Sequence, residues 1–215
     1  MMRRRWLFGT LAGLIALSSF VPTDAAAQDP TAPAARGGIV FVGSSIFHRW
    51  TDLQKQMAPL PVLNRALDGL QTTDVLRSLD SDLLRSRPKV IAYYCGSNDV
   101  DAGDAAEAIF DRIRQFIVRV EAALPGTRVV FVSINRAPEK RDRWDVVDAV
   151  NHLVQMYAAQ TKHVQYVDVN PVLFNRDGKP RLELYLSDGL HFRPAAYEEF
   201  TRILKPVLTR AYETP

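Results

Sequence analysis

Five short apolar runs, each parted from the next by a stretch of helical spacing, restrict what this chain can fold into. Residues 38–42, 61–64, 89–95, 127–134 and 164–169 are rich in Val, Ile, Tyr and Phe and read as strands. Their hydrophobicity is continuous rather than alternating. Both faces of such strands must be covered, which is the habit of parallel sheets. The intervening segments 46–57, 72–85 and 145–161 carry helical periodicity, as does 194–212, which Pro194 opens. The longest helix is expected to open at Asp104, with Glu107 as its capping-box partner, and to end at Pro125-Gly126. Its buried stripe is Ile109, Ile113, Phe116, Ile117, Val120 and Leu124. Strands alternating with helices predict an α/β fold, a three-layer α/β/α sandwich around a five-stranded parallel sheet. Ligands on such sheets bind beyond the carboxyl ends of the strands, so the chemistry is to be sought there.

Before the first strand the chain has another character. Arg3, Arg4 and Arg5 precede an uncharged apolar run from Trp6 to about Val21, and Ala25, Ala26 and Ala27 follow. Basic start, apolar middle and small-residue end are the parts of a secretory signal peptide, expected over residues 1–27. The run is short and interrupted for a membrane span, although a retained single-helix anchor is the alternative. The three arginines also resemble a twin-arginine signal. Residues 28–36 read as a flexible segment, and 37–215 as one domain, exported to the periplasm or beyond.

Composition narrows the function classes. The whole chain carries 27 basic and 24 acidic residues, a net charge of +3; without residues 1–27 there remain 24 and 23, a net of +1. A charge so close to zero gives no electrostatic reason to expect nucleic acid. Cys95 is the single cysteine, so no intramolecular disulfide can form, and at the end of a buried strand its thiol is expected to be inert. His48, His152, His163 and His191 show no metal-ligand spacing with one another, with the cysteine or with paired acids, and neither metal nor cofactor is expected. Activity should therefore persist in EDTA.

The residues at the strand ends are the informative ones. Gly43-Ser44-Ser45 follows the first strand and enters a helix, a turn that exposes a hydroxyl and offers backbone N–H donors. Gly69 follows the second strand, Gly96-Ser97-Asn98-Asp99 the third, and Asp188-Gly189-Leu190-His191 precedes the last helix. Taken singly, each has an ordinary explanation: a serine cap, a loop glycine, an Asn turn, a surface Asp and His. Taken together, they lie on one edge of the sheet. They supply a nucleophile, oxyanion donors, a base and a carboxylate to orient that base, the parts needed for acyl transfer.

These four blocks, in this order, resemble the SGNH (GDSL-like) hydrolase family, whose name records Ser, Gly, Asn and His in separated blocks. The resemblance covers 38 to about 212. It implies a flavodoxin-like sheet, a catalytic triad of Ser45, Asp188 and His191, and an oxyanion hole made by the backbone N–H groups of Ser45 and Gly69 with the side chain of Asn98. Ser44 stands where Asp is common, Trp50 follows Ser45 by five residues as in a bacterial G-x-S-x-x-x-x-W subgroup, and Leu70 replaces a common polar residue. These departures bear on substrate contacts more than on catalysis.

The expected function is hydrolysis of carboxylic esters, short acyl or acetyl and possibly carbohydrate-linked. The alternatives are a lysophospholipase or thioesterase, and a catalytically silent glycan-binding envelope protein. Asp99 is expected to bond loop backbone, and Trp50 to pack. Arg136, Arg141, Arg143 and Trp144 sit in a loop that should reach the active edge, either as a solvated charged loop, the favoured reading, or as a recognition element for an anionic or sugar-bearing substrate.

Overall fold

The apolar runs do become strands, and the elements between them explain where each core layer comes from. The structure is a computed structural model that describes residues 37–80 and 82–214; the expected signal and the 28–36 segment lie outside the described residues. In chain order the elements are β1 (Ile39–Gly43), α1 (Ser45–His48), α2 (Leu53–Met57), β2 (Val62–Asn64), α3 (Thr72–Arg77), α4 (Asp82–Ser86), β3 (Val90–Tyr94), α5 (Ser97–Asp101), α6 (Ala106–Ala123), β4 (Arg128–Val132), α7 (Trp144–Ala159), β5 (Val164–Val167) and α8 (Pro194–Glu213). Short stretches of 3-10 helix occur at Ser78–Asp80, Pro138–Arg143, Asn170–Leu173 and Leu182–Leu184.

The sheet runs β2-β1-β3-β4-β5, and every pairing is parallel. Side chains alternate across it, giving two cores. Ile39, Phe41, Ala92, Tyr94, Val130 and Val132 face α1, α2 and α8. Val40, Val42, Ile91, Tyr93, Val129 and Phe131 face α3, α4, α6 and α7. The three-layer sandwich follows. In this strand order the chain reverses its direction of growth between β1 and β3, and the crevice at that switch point is where such sheets bind ligands.

Trp50 closes the first core. It is almost wholly buried, stacks on Tyr197 at 5.1 Å between ring centroids, meets Phe41, Phe47 and Phe200, and donates its indole N–H to Gln56 Oε1 at 2.6 Å. It is a packing residue. Removing a buried indole of this kind typically costs about 3–5 kcal/mol.

Three helix expectations need correction. The segment 46–57 is two short helices, because Thr51 and Asp52 are weak helix formers and the chain turns there to seat Trp50. The segment 72–85 breaks at Ser78–Asp80, where the Ser78 hydroxyl donates to the Val75 carbonyl and competes with the helical ladder. The helix expected to be the longest, α6, begins at Ala106 with no side-chain cap, and its 18 residues are exceeded by the 20 of α8. Asp104 is instead drawn off by the Arg112 guanidinium, and the capping box of this fold lies at Gln71 and Asp74.

Candidate active site

Gly43 ends β1 at φ +137°, and a Cβ there would come within 1.7 Å of the Tyr94 carbonyl oxygen. Only glycine lets β1 close so tightly on β3 and turn at once. Ser44 then donates its backbone N–H to Tyr94 O at 3.0 Å, and Ser45 starts α1. Ser44 holds the N-cap position but makes no side-chain cap bond, and Ser45 is free of that duty. The Ser45 N–H, at the first position of a helix, has no acceptor within it. Ser45 is 8% exposed, at the edge of burial.

His191 brings its Nε2 to 3.0 Å from Ser45 Oγ, across 146 residues of chain. Its Nδ1 lies 2.7 Å from Asp188 Oδ2. The other Asp188 oxygen accepts the backbone N–H groups of Leu190 and His191 at 2.9 and 3.0 Å. The loop is pinched shut by Leu186 N–H donating to His191 O at 2.7 Å and by a bridge between Tyr185 and Phe192. Partial burial raises the pKa of the Asp188 carboxyl, but the bonds from His191 and from two backbone N–H groups overcome it. The net result is a pKa lowered to about 2. An ionised carboxylate fixed on Nδ1 holds a proton there and leaves Nε2 as the acceptor facing the serine.

The candidate oxyanion donors follow three adjacent strands, β1, β2 and β3, at their carboxyl ends. Gly69 has φ +76°, with open space where a Cβ would stand. Its freedom is needed for the turn of the backbone, not for room. The loop that carries it hangs on the nucleophile's own surroundings. Leu67 N–H donates to Gly43 O at 3.0 Å, His48 Nδ1 meets Ala66 O at 2.9 Å, and Arg49 Nη2 donates to Asp68 Oδ2 at 3.0 Å. The bonds between Arg49 and Asp68 raise the pKa of the first and lower that of the second. Asn98 uses one amide hydrogen on Leu70 O, at 2.9 Å, which fixes its side chain and leaves the second hydrogen for a ligand.

Beneath Asn98, Asp99 is fully buried and accepts the Thr72 N–H at 3.0 Å, the Thr72 hydroxyl at 2.5 Å and Arg112 Nη2 at 3.1 Å. The expectation of loop backbone needs correction: the N–H it accepts is the first of α3, and with Arg112 it fastens α5 to α3 and α6. Cys95 is buried and reduced, and burial pushes its thiol pKa up, away from the thiolate. Among the described residues no group of three His, Cys, Asp or Glu side chains could hold a metal ion.

The charged loop after β4 does reach the active edge, but it is not simply solvated. Glu139 N–H donates to Gly189 O, inside the triad loop, at 3.2 Å. Lys140 is buried and paired with Asp101 at the end of α5. Arg136 is held by Asp148, and Arg141 lies over the Trp144 ring at 5.3 Å. Sequence reading passed over the Arg49–Asp68, Lys140–Asp101 and Arg112–Asp99 pairs. Ion pairs between distant segments have no periodic signature, and only the fold shows which charges meet.

The model of the GDSL-like lipase/acylhydrolase family matches residues 34–199. A deacetylase of Brucella anthropi is 29% identical over 124 residues, covering 50% of this chain and 30% of that protein. The chain thus spans under a third of the length of that curated relative. A GDSL-like lipase structure from Bacteroides thetaiotaomicron superposes with a TM-score of 0.69 at 18% identity, covering 80% of this chain and 88% of that one. A carbohydrate esterase family 3 structure from Talaromyces cellulolyticus gives 0.67 at 16%, covering 82% and 98%. At these identities the two structural likenesses speak for the fold.

Proposed function

The chain belongs to the GDSL-like lipase/acylhydrolase family, and from that premise we propose that it is an exported hydrolase of carboxylic esters acting through Ser45, His191 and Asp188. The single observation that carries this reading is the unbroken line of hydrogen bonds from Ser45 Oγ through both nitrogens of His191 to Asp188. His191 takes the Ser45 proton as the hydroxyl oxygen attacks the ester carbonyl. The negative charge on the carbonyl oxygen is met by the N–H groups of Ser45 and Gly69 and by Asn98 Nδ2. Collapse breaks the bond to the alcohol oxygen, which leaves with the proton from His191. Water then attacks the acyl-serine, giving its proton to His191, and the carboxylic acid departs as Ser45 recovers its hydrogen.

The substrate we favour is a short acyl or acetyl ester. The Brucella relative, named a deacetylase, and the fungal neighbour, named a carbohydrate esterase, support that class. A longer acyl chain, as in a lysophospholipid or thioester, is the second reading. It is favoured by Leu67, 50% exposed, and Leu186, 39% exposed, on the two loops that carry Gly69 and the Asp188–His191 pair. The filled triad weighs against a silent glycan-binding protein. Purified protein should hydrolyse a short p-nitrophenyl ester and be labelled on Ser45 by a fluorophosphonate. Ser45→Ala should do neither, and equal hydrolysis by wild type and Ser45→Ala would overturn the assignment.

A further inference from the structure

Away from the triad, a cavity of about 410 Å³ opens between β5, the first turns of α7 and the turn at residues 174–178. That volume lies within the range of small-molecule sites. Its walls include Arg136, Asp148, His152, Tyr166, Asp168 and Phe174, and none of the triad residues. The polar groups are fixed in advance. Arg136 donates from Nε and Nη2 to the two Asp148 oxygens at 2.5 and 2.8 Å, and its backbone N–H is held by Asn170 at 2.7 Å. Asp168 is anchored through Oδ1 alone, by the Ser133 hydroxyl at 2.9 Å and by Asn170 N and Nδ2 at 3.0 Å each. Those bonds leave its second oxygen uncommitted. Tyr166 stacks on the buried Phe131 with 14° between the rings, so the plane of this wall is set by the core.

The lining selects a ligand class. Two carboxylates against one guanidinium give the cavity an acidic balance, which disfavours anions. No metal-binding group of three exists among the described residues. What remains is a mix of fixed donors and acceptors beside an aromatic plane. Sugar hydroxyls both donate and accept, and the C–H faces of a pyranose pack against such rings. The cavity is also joined to the active edge. Only two residues separate Arg136, in its wall, from Glu139, whose N–H bonds Gly189 in the triad loop. Their Cα atoms can therefore be no more than about 11 Å apart, and one short segment carries both the cavity wall and the contact to the triad loop.

We propose that this cavity is a binding subsite for a neutral oligosaccharide, holding units of a glycan whose ester group lies at Ser45. The proposal rests on the ester-hydrolase reading and names the alcohol side of its substrate. The test uses the whole protein. Binding of cellotetraose, xylotetraose and chitotetraose is measured by calorimetry on wild type, His152→Trp and Gln155→Trp, alongside hydrolysis of p-nitrophenyl acetate. Both substituted positions are exposed at the cavity, so a bulky ring fills it without disturbing the core. We expect at least one tetrasaccharide to bind saturably, and both variants to bind it at least tenfold more weakly with p-nitrophenyl acetate turnover unchanged. The subsite is overturned if none of the three binds, if the variants bind as wild type does, or if spermidine displaces the sugar stoichiometrically from the wild type. If the variants lose sugar binding but no form hydrolyses p-nitrophenyl acetate, the subsite stands and the hydrolase reading falls.

Discussion

At the scale of single residues, the proposed mechanism separates groups that would act in every turnover from groups that fix them. Asn98 contributes one of three candidate oxyanion donors. Loss of one such donor typically costs about 10²–10³ in rate. Asn98→Ala should therefore lower kcat by about that factor with KM little changed, as steady-state kinetics on a short ester will show. Asp188 links the proposed catalysis to acid stability. Its folded pKa of about 2 lies below the ordinary value of 3.8. A depressed carboxylate contributes stability that is complete above the ordinary value and fades as pH falls through the folded one. The stability advantage of wild type over Asp188→Asn should be constant above about pH 4, then shrink between about pH 4 and pH 2. Urea denaturation at several pH values measures this. The same substitution should cripple turnover at neutral pH, because an amide in place of the carboxylate no longer enforces the Nδ1–H tautomer of His191.

At the scale of elements, two glycines at positive φ have different work. Gly43→Ala forces a methyl group onto the Tyr94 carbonyl and should prevent β1 and β3 from closing, so that the protein fails to fold or loses cooperative unfolding. Gly69→Ala meets no neighbour and pays only for left-handed backbone, about 1–2 kcal/mol. It should fold, with reduced activity because its N–H is re-aimed. Lys140 belongs at this scale too. It ties the end of α5, which carries Asn98, to a turn that bonds the triad loop. Lys140→Met leaves Asp101 about half exposed and able to find water, so stability should change by about 1 kcal/mol or less. We expect kcat to fall severalfold while KM holds, and a variant with unchanged kcat would show that the tether does not matter.

The elements also show what can be read before a structure exists. β1, β3 and β4 were legible because strands buried on both faces must be apolar throughout, a pattern solvent-facing segments do not share. The site blocks were legible because Ser45, Asn98 and the Asp188–His191 pair each sit in a short segment whose local chemistry is complete in itself. The breaks after His48 and Arg77 were not, since a serine hydroxyl competing with one helical bond leaves no trace in periodicity. Nor were the partners of Arg49, Arg112 and Lys140, which the topology alone selects.

At the scale of the whole molecule, the sheet order puts Ser45, the proposed nucleophile, at the switch point between β1 and β3, while His191, its proposed base, arrives on a loop that follows all five strands. That loop is seated by neighbours from opposite ends of the chain. Tyr197, on α8, donates its hydroxyl to Ile46 O at 2.9 Å, and Phe192 packs on Tyr185 and Phe200.

Such wiring sets an order of events during synthesis. Ser45 is translated before His191, its proposed base, so a chain stopped between the two holds a serine no more reactive than any other. A chain stopped at Leu184 should neither hydrolyse a p-nitrophenyl ester nor take up a fluorophosphonate, even where its first strands have paired. Adding the missing segment in trans should restore labelling only if the two pieces associate. Under the proposed mechanism, labelling of Ser45 would itself report that the segment carrying His191 has folded onto it.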